Sequence, residues 1–218
     1  MVIARYESAV AMCYEVIFHP GSCMKKVVVY FGAIAAALVG PAAFAQTVQQ
    51  DQQRDVNQQQ RIEQGLKSGQ LTTREAGQLE REQQRVDNME ARDLRNGSVS
   101  PAEQARLNAA ENKASHDIYA DKHNGVTGNA NSLSSRRMQA DVQRDVNQQQ
   151  RIDNGIKNGS LTNREVGSLE RGQAHVDRKE ANAAANGRIG AAEQRNIQRS
   201  ENHQNNRIFR KKHNDRVK

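Results

Sequence analysis

From residue 46 onwards, apolar residues return at helical spacing, in thin stripes between long polar stretches. Val48, Val56, Ile62 and Leu66 share a face of a first segment. Ala76, Leu79, Val86 and Met89 share a face of a second, with Glu80, Arg81, Gln84 and Arg85 placed elsewhere on it. Ala102, Leu107, Ala110, Ala114 and Ile118 line a third. Recurrence at three and four residues predicts amphipathic helices. The scheme returns later with Leu169 and Val176, then Ile197 and Ile208. There is little alternating Val, Ile or Tyr, which disfavours strands.

The return is a duplication. Asp55–Asn124 aligns without a gap on Asp145–Asn214 at an offset of 90, with 35 of 70 positions identical. Two copies of one module follow from this, each of three helices joined by short turns that favour antiparallel neighbours. The expected class is all-α: two tandem three-helix modules, residues 46–124 and 141–218, with a Gly-, Asn- and Ser-rich flexible linker over 125–140. The stripes are too narrow for a large buried core, so a homodimer or a protein partner would complete the burial.

Within each copy the helices are separated by a recurring joint. Gly69-Gln-Leu71-Thr72-x-x-Glu75 returns as Gly97 to Glu103, Gly159 to Glu165 and Gly187 to Glu193. The frame resembles the second half of an EF-hand loop. Its first half would use Gln64, Leu66 and Ser68, or Asn154, Ile156 and Asn158; the other joints offer Arg92, Leu94 and Asn96, or Asn182, Ala184 and Asn186. Calcium needs carboxylates there, and none is present. Capping uses every shared residue instead. Gly69 stops a helix, Leu71 staples, Thr72 caps the next helix, and Glu75 completes the capping box. Ser100 and Glu103 repeat this with Pro101 at the first helical position, and Gly190 is a weaker cap.

Upstream, Lys25-Lys26, an apolar run from Val27 to Val39 and Ala43-Phe44-Ala45 have the layout of a secretory signal peptide over residues 24–45. Residues 1–23 then read as a non-native extension. Cleavage after Ala45 removes Cys13 and Cys23 and leaves no transmembrane anchor, a chain without disulfides, and a periplasmic or secreted location in a Gram-negative bacterium. About 173 residues remain, with Tyr119 and Phe209 as their aromatics. That composition makes a pocketed enzyme domain hard to build. No Ser-His-Asp order, phosphate loop or zinc-protease spacing occurs. No catalytic, cofactor or metal-ligating residue is assigned.

Charge separates the copies. Residues 46–135 carry 11 Lys/Arg and 13 Asp/Glu; residues 136–218 carry 18 and 10. The basic end from Arg207 to Lys218, including Arg210 and Lys211, points to an anionic envelope component or an acidic protein partner. Nucleic acid is disfavoured, because a stacking platform is missing. Two blocks retained between the copies are candidate interaction surfaces. The first is QRDVNQQQRI, with Asn57, Gln58, Gln60 and Arg61 matched by Asn147, Gln148, Gln150 and Arg151. It forms either a polar surface used twice or an amide network between helices. The second is the closing K-H-N, with Lys122 and His123 matched by Lys212 and His213. These suit a helix C-terminus.

A signal peptide, R-I-x-x-G-x-K-x-G-x-L-T-x-R-E and a terminal I-Y/F-x-x-K-H-N together resemble a group of secreted helical proteins of Proteobacteria, a family that brings no activity with it. Leu71-Thr72 and Leu161-Thr162 also give a likeness to periplasmic stress chaperones with an L-T-x-x-Q motif, although Glu75 and Glu165 stand at the Gln position. The expectation is an exported, non-enzymatic helical protein acting through protein or anionic surfaces. The alternatives are a chaperone-like stress factor, and a divalent-metal binder using the degenerate loops and terminal histidines.

Overall fold

Helix formation follows the joints. The structure, a computed structural model, describes residues 41–214. The 1–23 extension, the apolar run of the signal segment, both cysteines and the last four residues of the basic end lie outside the described residues. The helices are α1 (Pro41–Ser68), α2 (Thr73–Asp93), α3 (Pro101–Lys122), α4 (Leu133–Lys157), α5 (Asn163–Ala184) and α6 (Ala191–Lys212), with a 3-10 turn at Leu94–Asn96 after α2. No strand occurs among the described residues, so the all-α class holds.

Each joint is a stop followed by a start. Gly69 and Gly159 take φ of 75° and 69°, a left-handed conformation that residues with a Cβ resist. The Leu71 amide then donates back to the Gly65 carbonyl (2.9 Å), and Leu161 does the same to Gly155 (3.0 Å). Both leucines are buried. Thr72, Ser100 and Thr162 accept from the backbone three residues on, and Glu75, Glu103 and Glu165 return the bond. At Gly190 the Glu193 carboxylate alone accepts, from the Gly190 amide at 2.7 Å. The expected helix joint is what the loop builds. Its carboxylates are used by the cap: Glu75 accepts from the Thr72 amide (2.9 Å) and from Asn124 (2.8 Å).

The modules do not close on cores of their own. α2 packs along α5 and α1 along α4, while α3 and α6 flank this central four-helix arrangement. Both central pairs run antiparallel. Lys67 at the end of α1 reaches Gln143 of α4 (3.5 Å), and Lys157 at the end of α4 reaches Gln53 of α1 (3.3 Å). These contacts exchange under the offset of 90, so the copies are related by a pseudo-twofold axis. One apolar cluster joins Ile62, Leu66, Leu71 and Leu79 to Met138, Val142, Ala184 and Ile197; its counterpart joins Ile152, Leu161 and Leu169 to Val48 and Leu94. The burial that thin stripes left open is completed by the other copy in the same chain.

Three sequence expectations change as a result. Residues 133–140, expected in a flexible linker, form the first turns of α4, where Met138 is fully buried. The preceding segment is docked: the Gly128 amide donates to the Gly69 carbonyl at 2.8 Å, and its Cα lies against Leu71, where no side chain would fit. Ala102 is exposed and Met89 and Ala110 are only half-buried, whereas Glu80, set off the apolar face of α2, is fully enclosed. Inward positions are simply not restricted to apolar residues.

The α2–α5 crossing depends on two glycines. A Cβ on Gly77 would lie 2.5 Å from the Ala184 Cβ, and one on Gly167 would lie 2.7 Å from the Leu94 Cβ. In a solvated helix, Gly→Ala stabilises by about 1 kcal/mol. Here overpacking reverses the sign, and Gly77→Ala and Gly167→Ala should each destabilise by about 1–3 kcal/mol. Urea denaturation of each variant measures this, and a stabilised variant would refute the interlocked packing.

Candidate metal centre

Between the two apolar clusters the helices turn acidic faces inward. Along α1 the inward positions pass from Val48 through Asp51, Gln52, Asp55 and Gln59 to Ile62; along α2 they pass from Leu79 through Glu80, Gln83, Asp87 and Glu90 towards Leu94 in the 3-10 turn. The same three- and four-residue spacing that predicts an apolar stripe carries these carboxylates into the interior. α4 and α5 repeat the scheme with Asp141, Asp145, Gln149, Glu170, Gln173, Asp177 and Glu180.

Packing α2 on α5 gathers them into two groups of four. Asp55, Asp87, Glu90 and Glu170 bring one oxygen each within 4.8 Å of one another, and so do Asp145, Asp177, Glu180 and Glu80. The offset of 90 converts one group into the other, and each takes three residues from one copy and one from the other. A further group, Asp51, Glu90 and Glu111, shares Glu90 with the first. All eight members of the two groups of four are at most 2 % exposed. Among the described residues no lysine or arginine pairs with any of them; Arg54–Glu111 (2.5 Å) and Arg144–Glu201 pair only at the margins.

Glutamines supply part of what water would. Gln59 donates to Glu80 (2.9 Å), Gln149 to Glu170 (3.3 Å), and Gln52 to both Asp55 and Glu90 (3.3 Å each). Much capacity is left over. Both oxygens of Asp177 and of Glu180, and one each of Asp55, Glu80, Asp87, Glu90, Asp145 and Glu170, receive no N–H or hydroxyl donor; what they have is each other, a carboxyl proton joining Asp177 to Asp87 and Asp145 to Glu180. The free amide oxygens of Gln52, Gln59, Gln149 and Gln173 add to these. Enclosed charge without partners is costly, so burial pushes every one of these carboxyls upward. Glu80 and Glu170 rise to about 7, opposed by their glutamines. Asp55, Asp87, Glu90, Asp145, Asp177 and Glu180 stand well above the ordinary range, through burial first and neighbouring carboxylates next. Glu111 and Asp141, at the margins, are raised to about 8 by burial.

This interior accounts for the retained QRDVNQQQRI block. Gln58 and Gln148 are buried, and Gln58 accepts from Gln83 at 2.8 Å, which makes the block in part an inter-helix amide network. Arg61 binds Ser115 (2.6 Å to Oγ and 2.9 Å to the carbonyl), and Arg151 binds Asn205, each clamping the flanking helix. Gln60 and Gln150 are half-buried, and Asn57 and Asn147 are exposed. The candidate surface is thus divided between interior, clamp and solvent. The K-H-N residues close helices: His123 and His213 bond the carbonyls of Tyr119 (2.7 Å) and Phe209 (2.8 Å) and stack on those rings. Lys212 donates to the Arg151 carbonyl at 2.9 Å. Burial, then the neighbouring arginine, pulls both Lys122 and Lys212 downward. Arg210 is exposed and Lys211 half-buried on the last turns of α6, so this part of the basic end is helical.

The sequence reading assigned no residue to a metal and missed these groups. Their signal was present in the duplication. Asp51, Asp55, Glu80, Asp87, Glu90 and Glu111 are all acidic again 90 residues later, whereas the more accessible Glu82, Asp93, Asp117 and Asp121 become Gly172, Ala183, Arg207 and Lys211. No protein-family model, curated protein or solved structure matches the chain.

The raised carboxyls fix the direction of pH dependence. The folded state holds protons that the unfolded chain releases near pH 4, so stability in chelator is fully present below that value. It is lost as pH rises through about 7 for Glu80 and Glu170, and about 8 for Glu111 and Asp141. Thermal melts in chelator should therefore give a higher Tm near pH 6 than near pH 8.5, and the opposite order would refute the protonated interior.

Proposed function

We propose that this is an exported, non-enzymatic helical protein whose interior binds hard divalent cations, one in each group of four carboxylates. The observation that carries the reading is the pair of symmetry-related groups of enclosed carboxyls that no lysine or arginine of the described residues pairs with and whose oxygens are largely without N–H donors. Oxygens bound to one calcium ion at 2.3–2.6 Å can lie at most about 5 Å apart, which the 4.8 Å limit within each group satisfies. Carboxylate and amide oxygens without His or Cys suit calcium, magnesium or manganese rather than zinc or copper. A divalent ion would replace two protons of a group and offset two of its four charges, the other two carboxyls keeping their protons, and would take up free lone pairs in the same step.

This differs from the metal-binding alternative read from the sequence. The joint loops use their carboxylates in caps, and the terminal histidines are bound to carbonyls. A chaperone-like role has less support, since Tyr119 and Phe209, two of the exposed large apolar side chains, are already stacked on histidines. The groups are enclosed by all four central helices, so loading is tied to folding rather than to docking on a finished surface.

The test is refolding at about pH 8 with chelator or with calcium, magnesium or manganese. At a free ion concentration of about 100 Kd, binding adds about 2.7 kcal/mol per site, or about 5–10 °C in Tm. Elemental analysis should find two ions per chain, one in Asp87→Asn, one in Asp177→Asn and none in the double variant. In chelator the same Asn variants should be more stable than the parent at pH 8, because an amide mimics the protonated acid. A chain that retains no ion and melts identically with every cation would overturn the proposal.

A further inference from the structure

The groove between α5 and α6, about 500 Å³ in volume, is lined by Arg171, His175, Lys179, Arg199, His203 and Arg207, and no carboxylate lines it. The matching face of the first copy is an internal comparison. There the offset of 90 places Arg81, Arg85, Met89, Ala109, Lys113 and Asp117, with Glu82 where Gly172 stands. Lys113 of α3 bridges Glu82 (2.7 Å) of α2 and Asp117 of its own helix, so on the first face two carboxylates offset the cations, of which Arg81 and Arg85 stay exposed.

In the second copy that bridge is dismantled. Glu82 gives way to Gly172, which removes a carboxylate and leaves its space to Gln204 and Arg207. Asp117 gives way to Arg207, and Met89 and Ala109 give way to Lys179 and Arg199. The new cations are positioned. Lys179 is held by Ser200 (2.5 Å) and Asn196 (3.1 Å). Arg207 is held by the Ser168 carbonyl (2.6 Å) and Gln204 (3.1 Å). Arg171 and Arg199 are exposed at the groove. Packing does not require such a concentration of like charge, which raises the electrostatic energy of the folded chain.

We infer that this groove is a second binding site, independent of the interior, for a ligand bearing two or more phosphate groups. Guanidinium groups match phosphate oxygens in a bidentate fork, and several fixed cations favour an oligophosphate over a single anion. Apart from the imidazoles of His175 and His203 the lining contains no aromatic side chain, so recognition rests chiefly on the phosphates. An oligophosphate in solution and a phosphorylated lipid headgroup share this chemistry.

Calorimetric titration of the full chain with inorganic triphosphate at low salt tests the site. One equivalent should bind. Arg171→Ala/Arg199→Ala should weaken it by about tenfold or more, the loss expected for charge-assisted hydrogen bonds. Arg81→Ala/Arg85→Ala, which removes the same charge from the matching face of the first copy, should leave affinity within about twofold. Circular dichroism melts confirm that both variants, changed at exposed positions, stay folded. Co-sedimentation with phosphatidic acid vesicles separates the sources. Retention that triphosphate competes away assigns a lipid headgroup, and triphosphate binding without retention assigns a soluble oligophosphate. Absence of triphosphate binding, or equal weakening by the two double variants, would overturn the inference.

Discussion

Two sets of four carboxylates are held at the centre of this protein away from water and, among the described residues, from any arginine or lysine, and most other features answer to that constraint. Apolar clusters above and below it, built around Leu79 and Leu169, exclude solvent. Glutamines 52, 59 and 149 supply donors to a few oxygens and leave many without N–H donors. Bringing like charges together in a low-dielectric interior is unfavourable unless protons or cations accompany them. The fold and the protons its interior holds therefore form a single thermodynamic unit.

The duplication makes this arrangement buildable. One copy supplies three members of a group and the other copy supplies the fourth, so neither group exists within a single module. Gly77 and Gly167 let α2 and α5 approach closely enough for Glu80 and Glu170 to cross into the opposite group. The joints contribute by ending and restarting helices at fixed places, which keeps Asp55, Asp87 and Glu90 level with one another. Glu75 and Glu165 are consumed in that task, and for that reason the loops that resemble half a calcium site hold no free carboxylate.

Outside the core the copies have gone separate ways. The interior acids stay in register, whereas Glu82 and Asp117 have given way to glycine and arginine. Part of the excess positive charge of the second half therefore lines one groove, where α5 meets α6 and no carboxylate is present. A symmetrical interior and an asymmetrical exterior imply different demands on the two: the first is set by mutual packing of the copies, the second by whatever meets the groove.

Helices, their joints and the repeat were legible in the sequence, because capping boxes and three-to-four spacing are local properties. Gly69, Thr72 and Glu75 lie within a few residues of one another, and their roles follow from backbone geometry alone. The carboxylate interior was not legible in the same way. Glu80 reads as part of a polar face until α2 is laid on α5, and hydrophobic periodicity ignores inward residues that are polar. Comparison of the copies held the missing signal, since the acids kept in both are those of the interior and the caps. Local chain physics thus determined the elements and where they begin and end. Which faces meet, and hence which charges are removed from water, was decided only by tertiary packing, because burial depends on partners far away in the chain.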